Sequence, residues 1–158
     1  MRKWHKVADG EERHGFIMIR QLSVFVQNEI GSLASVTTVL KDNLINLRAI
    51  ASFDTPEFAI LRIVVDQPEK AKELLNASGF AVKMSSAVAV ELEDKPGVLD
   101  HMLRVIAEAN LGINYIYSIV LRNGKAPLMI VNTDDLSRTA TVLKQNGFII
   151  AEEEDLIS

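Results

Sequence analysis

Asn28-Glu29-Ile30-Gly31-Ser32-Leu33 returns as Asp94-Lys95-Pro96-Gly97-Val98-Leu99, and this repetition decides the fold. Working outward, a stretch with helical spacing follows each hexapeptide. Then comes Ile45-Asn46-Leu47 in one copy and Ile113-Asn114-Tyr115 in the other. Each copy later runs through a second helical stretch that stops at Gly-Phe, Gly79-Phe80 and Gly147-Phe148. Gly97 follows Gly31 by 66 positions and Gly147 follows Gly79 by 68, so a two-residue insertion separates the copies. A period this long marks tandem copies of one small domain. We expect an extension over 1–17, a first domain over 18–85 and a second over 86–158.

Each copy reads strand, helix, strand, strand, helix, strand. In the first, Leu22, Val24 and Val26 alternate with Ser23 and Phe25, the period of a strand. Leu33, Val36, Leu40 and Leu44 then fall at helical spacing. Residues 45–53 and 58–65 form strands about the turn Asp54-Thr55-Pro56-Glu57. Asp66 caps the next helix, Pro68 lies in its first turn and Gly79 provides a left-handed stop. A strand over 80–84 closes the copy. The second copy repeats the plan: a strand over 87–92, a helix lined by Leu99, Met102, Leu103 and Ile106, and a hairpin about Asn123-Gly124. Asp134 or Asp135 caps its second helix, and 148–151 is its last strand. The acidic run Glu152-Glu153-Glu154-Asp155 reads as a solvated end that guards a sheet edge. Two βαββαβ units predict an α+β fold, with antiparallel sheets and helices on one face.

Composition narrows the chemistry. The 158 residues are 48% hydrophobic, enough for a core, and carry a net charge of −4 with Lys and Arg dispersed. A phosphate backbone needs a basic stripe, so nucleic acid is not the expected partner. The absence of Cys removes thiolate metal sites and Cys nucleophiles. No apolar run approaches the ~18 residues of a membrane span, and we expect a cytoplasmic protein with no membrane partner. Trp4, His5 and His14 lie in the extension and carry no expected role. His101 lacks a second ligand at metal spacing, and no Ser sits in a Gly-x-Ser-x-Gly elbow. Glu93 and Asp94, read as strand neighbours, point to opposite faces and cannot cooperate as acid and base. No catalytic residue, metal site or cofactor is expected, and the chain is read as a non-enzyme.

The repeated loop is the candidate site. A Gly before a helix brings backbone close to a ligand and leaves first-turn N–H groups free, and these favour a carboxylate. Asn28 and Asp94, just upstream, offer oxygen to an ammonium. Together the groups describe a free α-amino acid. The same residues also fit a turn that Gly merely permits, capped by Asn28 or Asp94.

The pattern Asn/Asp-x-x-Gly-x-Leu, an amphipathic helix and then Ile-Asn resembles the ACT domain, over residues 20–151 in two copies. The resemblance implies ferredoxin-like modules that bind amino acids and regulate metabolic enzymes. It implies a ligand held between two domains, with the first loop of one facing the second strand of the other. Carried over, it nominates Asn28, Ile30, Gly31, Ser32, Leu33 and Asn46 in the first copy. In the second it nominates Asp94, Pro96, Gly97, Val98, Leu99 and Asn114. Ile30 stands where the second copy has Pro96, so the loops differ in rigidity. The opening Leu22-Ser23-Val24-Phe25-Val26 with Asn28 and Gly31 also looks like acetolactate synthase small subunits, the alternative being a regulatory subunit of such an enzyme.

Ser85, Ser86 and Ala87 are the expected linker, with a reach of about 14 Å. Joining the copies through their second strands would require about 29 Å. The copies of one chain are therefore expected to meet by their last-strand side or face to face, with exchange of final strands as a variant. Side-by-side sites would then form between chains, and a homodimer is expected.

Overall fold

The computed structural model describes residues 18–119 and 126–157. The extension and the Asn123-Gly124 turn lie outside the described residues. The elements run β1 (Ile19–Gln27), α1 (Ser32–Asp42), β2 (Leu47–Asp54), β3 (Phe58–Val65), α2 (Pro68–Ala77) and β4 (Ala81–Glu91). They continue with α3 (Val98–Glu108), β5 (Ile113–Ile119), β6 (Leu128–Thr133), α4 (Leu136–Gln145), β7 (Ile149–Ala151) and α5 (Glu153–Ile157). All strand pairs are antiparallel, and the α+β class stands as the repeat indicates.

The two copies share a strand. Where a linker was expected, Ser85, Ser86 and Ala87 continue β4, paired in register with Gln21, Arg20 and Ile19 of β1. The first part of β4 closes the sheet β2-β3-β1-β4, and its second part pairs β6 and β7 and opens the next. The expected 85/86 boundary thus falls inside one strand. Each copy keeps its own last strand, so none is exchanged.

Alternation assigns the faces. Leu22, Val24, Val26, Leu61 and Ile63 pack with Val36, Leu40, Ala71 and Leu75 of α1 and α2. Val88, Val90 and Val131 pack with Met102, Ile106, Ala140 and Leu143 of α3 and α4. Side chains of opposite parity form a third core in which Ile19, Ala49 and Val64 of the first copy meet Ile119, Leu128 and Ile130 of the second. The helix-free faces therefore lie against each other, with helices outside on both sides. A strand that passes from one sheet into the other is a standard corner of such packings.

Local chemistry explains three departures from the sequence expectations. Leu44 does not join the helix face. It follows α1 at φ 56 and is 86% exposed, while Ile45 turns inward and donates to Leu40 O at 2.9 Å. Asp66 does not cap α2, whose N-cap is Gln67 with no side-chain bond; its Oδ1 accepts from Asn46 N instead, at 3.0 Å. Of the two caps expected for α4, Asp135 is the one observed, accepting from Arg138 N. Glu152, Glu154 and Asp155 are exposed, but the acidic end is not a free tail. It forms α5, in which Leu156 is buried in the inter-sheet core and Glu153 accepts from Arg20 Nε at 3.1 Å.

Candidate functional site: the groove at the first repeated loop

β1 ends at Gln27, the chain turns through Asn28–Ile30, and Gly31 opens α1 at φ 88. A Cβ on Gly31 would meet nothing within 4 Å, so the position needs glycine for its left-handed backbone, not for lack of room. Gly97 repeats this at φ 90 ahead of α3, again with open space. Neither helix has a side-chain cap bond, so Asn28 and Asp94 are not caps. Asn28 instead donates through Nδ2 to Thr55 O and through N to Glu57 O, both at 3.4 Å, tying the loop to the β2–β3 turn.

Beside this loop lies a groove of about 330 Å³ whose walls include Asn28, Gly31, Ser32, Leu33, Ser52 and Asp54. The first-turn amides divide. Ser32 N is spent on Glu29 O at 3.2 Å, while Leu33 N and Ala34 N have no backbone acceptor among the described residues. Unsatisfied amides and the helix dipole attract an anion. Asp54 and Glu29 supply negative charge, and no base lines the groove. Ile30, wholly exposed, is not among its walls. The groove thus offers two free N–H groups together with carboxylates.

Asp94, Pro96, Gly97, Val98 and Leu99 form the matching loop of the second copy, with Val98 N bonded to Lys95 O at 3.3 Å. Glu93 and Asp94 lie beyond the end of β4, in a loop, so strand alternation does not govern them. Lys95 Nζ sits 2.5 Å from Glu93. That hydrogen bond and charge hold the Glu93 carboxyl below its ordinary range and the Lys95 ammonium above its own.

Asn46 and Asn114 are not counterparts, and within this chain neither reaches a loop. Leu47 pairs with Val65 and Ile113 with Thr133; Phe53 pairs with Ile60 and Ile119 with Leu128. The second strands therefore correspond at an offset of 66, and the two extra residues fall between 119 and 128. Gly112 is the counterpart of Asn46. Their amides donate to Asp134 and Asp66 at 3.2 and 3.0 Å respectively. Asn46 precedes β2, about 20 Å along the strand from Ser52. Asn114 donates to Asn132 Oδ1 at 2.9 Å.

Sequence reasoning missed Ser52 and Asp54. A bulge between Leu47 and Ala49 shifts the alternation, so Leu47 faces the helices while Ala49 faces the inter-sheet core. The signal available was the end of the strand nearest the loop. Among the described residues no group of three or more His, Asp or Glu could hold a metal, and no helix is long and apolar enough to cross a membrane.

The family described as "ACT domain pair" matches residues 17–158. The crystal structure of protein BT0572 from Bacteroides thetaiotaomicron is 30% identical, covers 90% of this chain and 97% of its own, and superposes with a TM-score of 0.82. The regulatory subunit of aspartate kinase from Thermus thermophilus is 15% identical, with coverage of 83% and 94% and a TM-score of 0.62. That from Thermus flavus is 16% identical, with 82%, 93% and 0.59. At these identities the two subunits share the fold. No curated protein matches the chain. With a family match over nearly its whole length, on the repeat and topology described above, the chain belongs to the ACT domain pair family.

Proposed function

We propose that this ACT domain pair is a non-catalytic regulatory protein that binds a free α-amino acid at its repeated loops and works as a homodimer. The observation that carries the reading is the first groove. There Leu33 N and Ala34 N stand without backbone acceptors in a groove that Asp54 also lines. Gly31 leaves the approach open, and Asn28 holds the loop against the β2–β3 turn. The second loop, with Asp94 in place of Asn28, is the secondary site. The outer strands β2 and β5 have no partner strand on their outer edges among the described residues, which leaves the family's side-by-side sites to a second chain.

A thermal-shift screen against the twenty amino acids tests this. A ligand at a hundred times its Kd adds about 2.7 kcal/mol, which raises Tm by roughly 5–10 °C for a chain of this size. Asp54→Asn should weaken the hit at least tenfold, since a hydrogen bond to a charged group contributes about 1.5–3 kcal/mol. If none of the twenty shifts Tm, the amino-acid reading fails. A monomer by light scattering that binds at full affinity removes the dimer from it.

A second reading, a regulatory subunit acting on a separate biosynthetic enzyme, is supported by the likeness in fold and extent to the two aspartate kinase regulatory subunits. Co-purification of a catalytic chain with the tagged protein separates it from a free-standing sensor.

A further inference from the structure

Ser52, Phe53 and Asp54 are consecutive on β2, so their side chains alternate across the sheet. Ser52 and Asp54 line the groove, while Phe53 lies on the inner face, where the two sheets meet. β2 is the outermost strand of its sheet, bonded along one edge. On its groove side Ile50, Ser52 and Asp54 are all exposed. Packing that fixes this end of β2 must therefore come from the inner face.

What it meets there belongs partly to the other copy. The Phe53 ring is 6.5 Å from that of Tyr115 on β5. The Arg62 guanidinium lies 3.6 Å from the Tyr115 centroid and 5.5 Å from that of Phe53. Arg62 Nη1 donates to Ser23 Oγ at 2.8 Å, which anchors it to β1. The Tyr115 hydroxyl accepts from Gln21 Nε2, and Gln21 is fully buried. Arg62 has no carboxylate partner among the described residues, and its buried Nε has no acceptor. A cation placed this way is no better than an apolar residue at filling a core. What it adds is a flat charged group against two rings, which fixes Phe53 relative to Tyr115.

We infer that Arg62, Phe53 and Tyr115 are positioning residues: through them the second copy holds the groove-lining strand of the first in place. Their effect on ligand binding rests on the amino-acid reading of the groove; the positioning itself does not. On β5, Ser118 is the counterpart of Ser52 and neighbours Tyr117, whose hydroxyl donates to Gln21 Oε1 at 2.7 Å. The clamp thus spans the corresponding strand of each copy.

Hydrogen–deuterium exchange of the full chain without ligand tests it. Tyr115→Ala should speed exchange over residues 47–54 about tenfold relative to 58–65, a local loosening of the kind that precedes global unfolding. Tyr115→Phe keeps the ring and should restore the parent rate. Arg62→Met should loosen 47–54 while leaving the melting temperature near that of the parent. Unchanged exchange over 47–54, or acceleration by one factor along the whole chain, overturns the inference. The twenty amino acids are then titrated against parent and Arg62→Met. A hit on the parent should weaken roughly three- to thirtyfold in the variant, and equal affinity in both overturns the positioning role. No hit on the parent sinks the amino-acid reading alone and leaves the exchange result to decide the clamp.

Discussion

Leu44 and Asn110 occupy the same place, just after α1 and α3, and both sit at φ 56. A left-handed backbone costs a branched residue about 1–2 kcal/mol and an asparagine less. Leu44 gains nothing for that cost, since its side chain is in water. Leu44→Asn, which copies the second repeat into the first, should therefore raise stability by roughly 0.5–1 kcal/mol in urea unfolding. Tyr117 makes a second prediction. Burial, with the nearby Tyr115 adding to it, raises its hydroxyl above the ordinary 10.0, and Arg62 opposes this. A raised folded pKa means the unfolded chain loses its proton first. The stabilisation is complete below pH 10 and is lost as pH rises beyond it, by about 1.4 kcal/mol per unit. Tyr117→Phe should remove that part of the alkaline slope. If parent and variant keep parallel slopes above pH 10, the buried hydroxyl does not titrate as described. At this scale Gly31 and Gly97 were legible in the sequence because a repeated glycine before a helix has few explanations. Leu44 was not, since helical spacing alone cannot say where a helix stops.

Among the elements, α5 was misread. Glu152–Asp155 looks like a solvated run because charge dominates it. Yet Leu156 is buried in the core between the sheets, and Glu153 joins Arg20, which also pairs with Glu69 of α2. The helix thus fastens β1, α2 and the inter-sheet core together. Leu156→Ala should cost about 2–4 kcal/mol, as for other fully buried leucines. Glu153→Gln should cost under about 1 kcal/mol, because Arg20 is partly exposed and its pair is screened. Urea unfolding of both variants checks the order; the reverse would mean that charge, not burial, docks the helix. The elements legible in advance were those with a clean period: β1, β3, α1 and α3 lie close to where alternation and helical spacing put them. β2 and β5 were placed but not aligned. Each carries a bulge near its start, and the two extra residues sit in the later hairpin, so matching Ile-Asn to Ile-Asn slips the register by two. Asn46 and Asn114 therefore do not mark one position of the two copies.

For the whole molecule, the shared strand decides behaviour. β4 belongs to both sheets, and the middle core draws Ile19, Ala49 and Val64 from one copy and Ile119, Leu128 and Ile130 from the other. A sequence repeat announces two domains; it does not announce that the strand closing one opens the next. Ser85 and Ser86 look like a linker by composition and are pleated into β4 by their pairing with Gln21 and Arg20. Separating the copies would expose that core and break the bonds of Gln21 to Tyr115 and Tyr117. Each half is also near the size at which a single core gives marginal stability. Calorimetry of the intact chain should therefore show one transition, with the calorimetric and van't Hoff enthalpies equal. A fragment ending at Met84 should lack a cooperative transition. Two resolved transitions, or a fragment that melts cooperatively near the parent temperature, would show that the copies fold independently and that the clamp between them is incidental to stability.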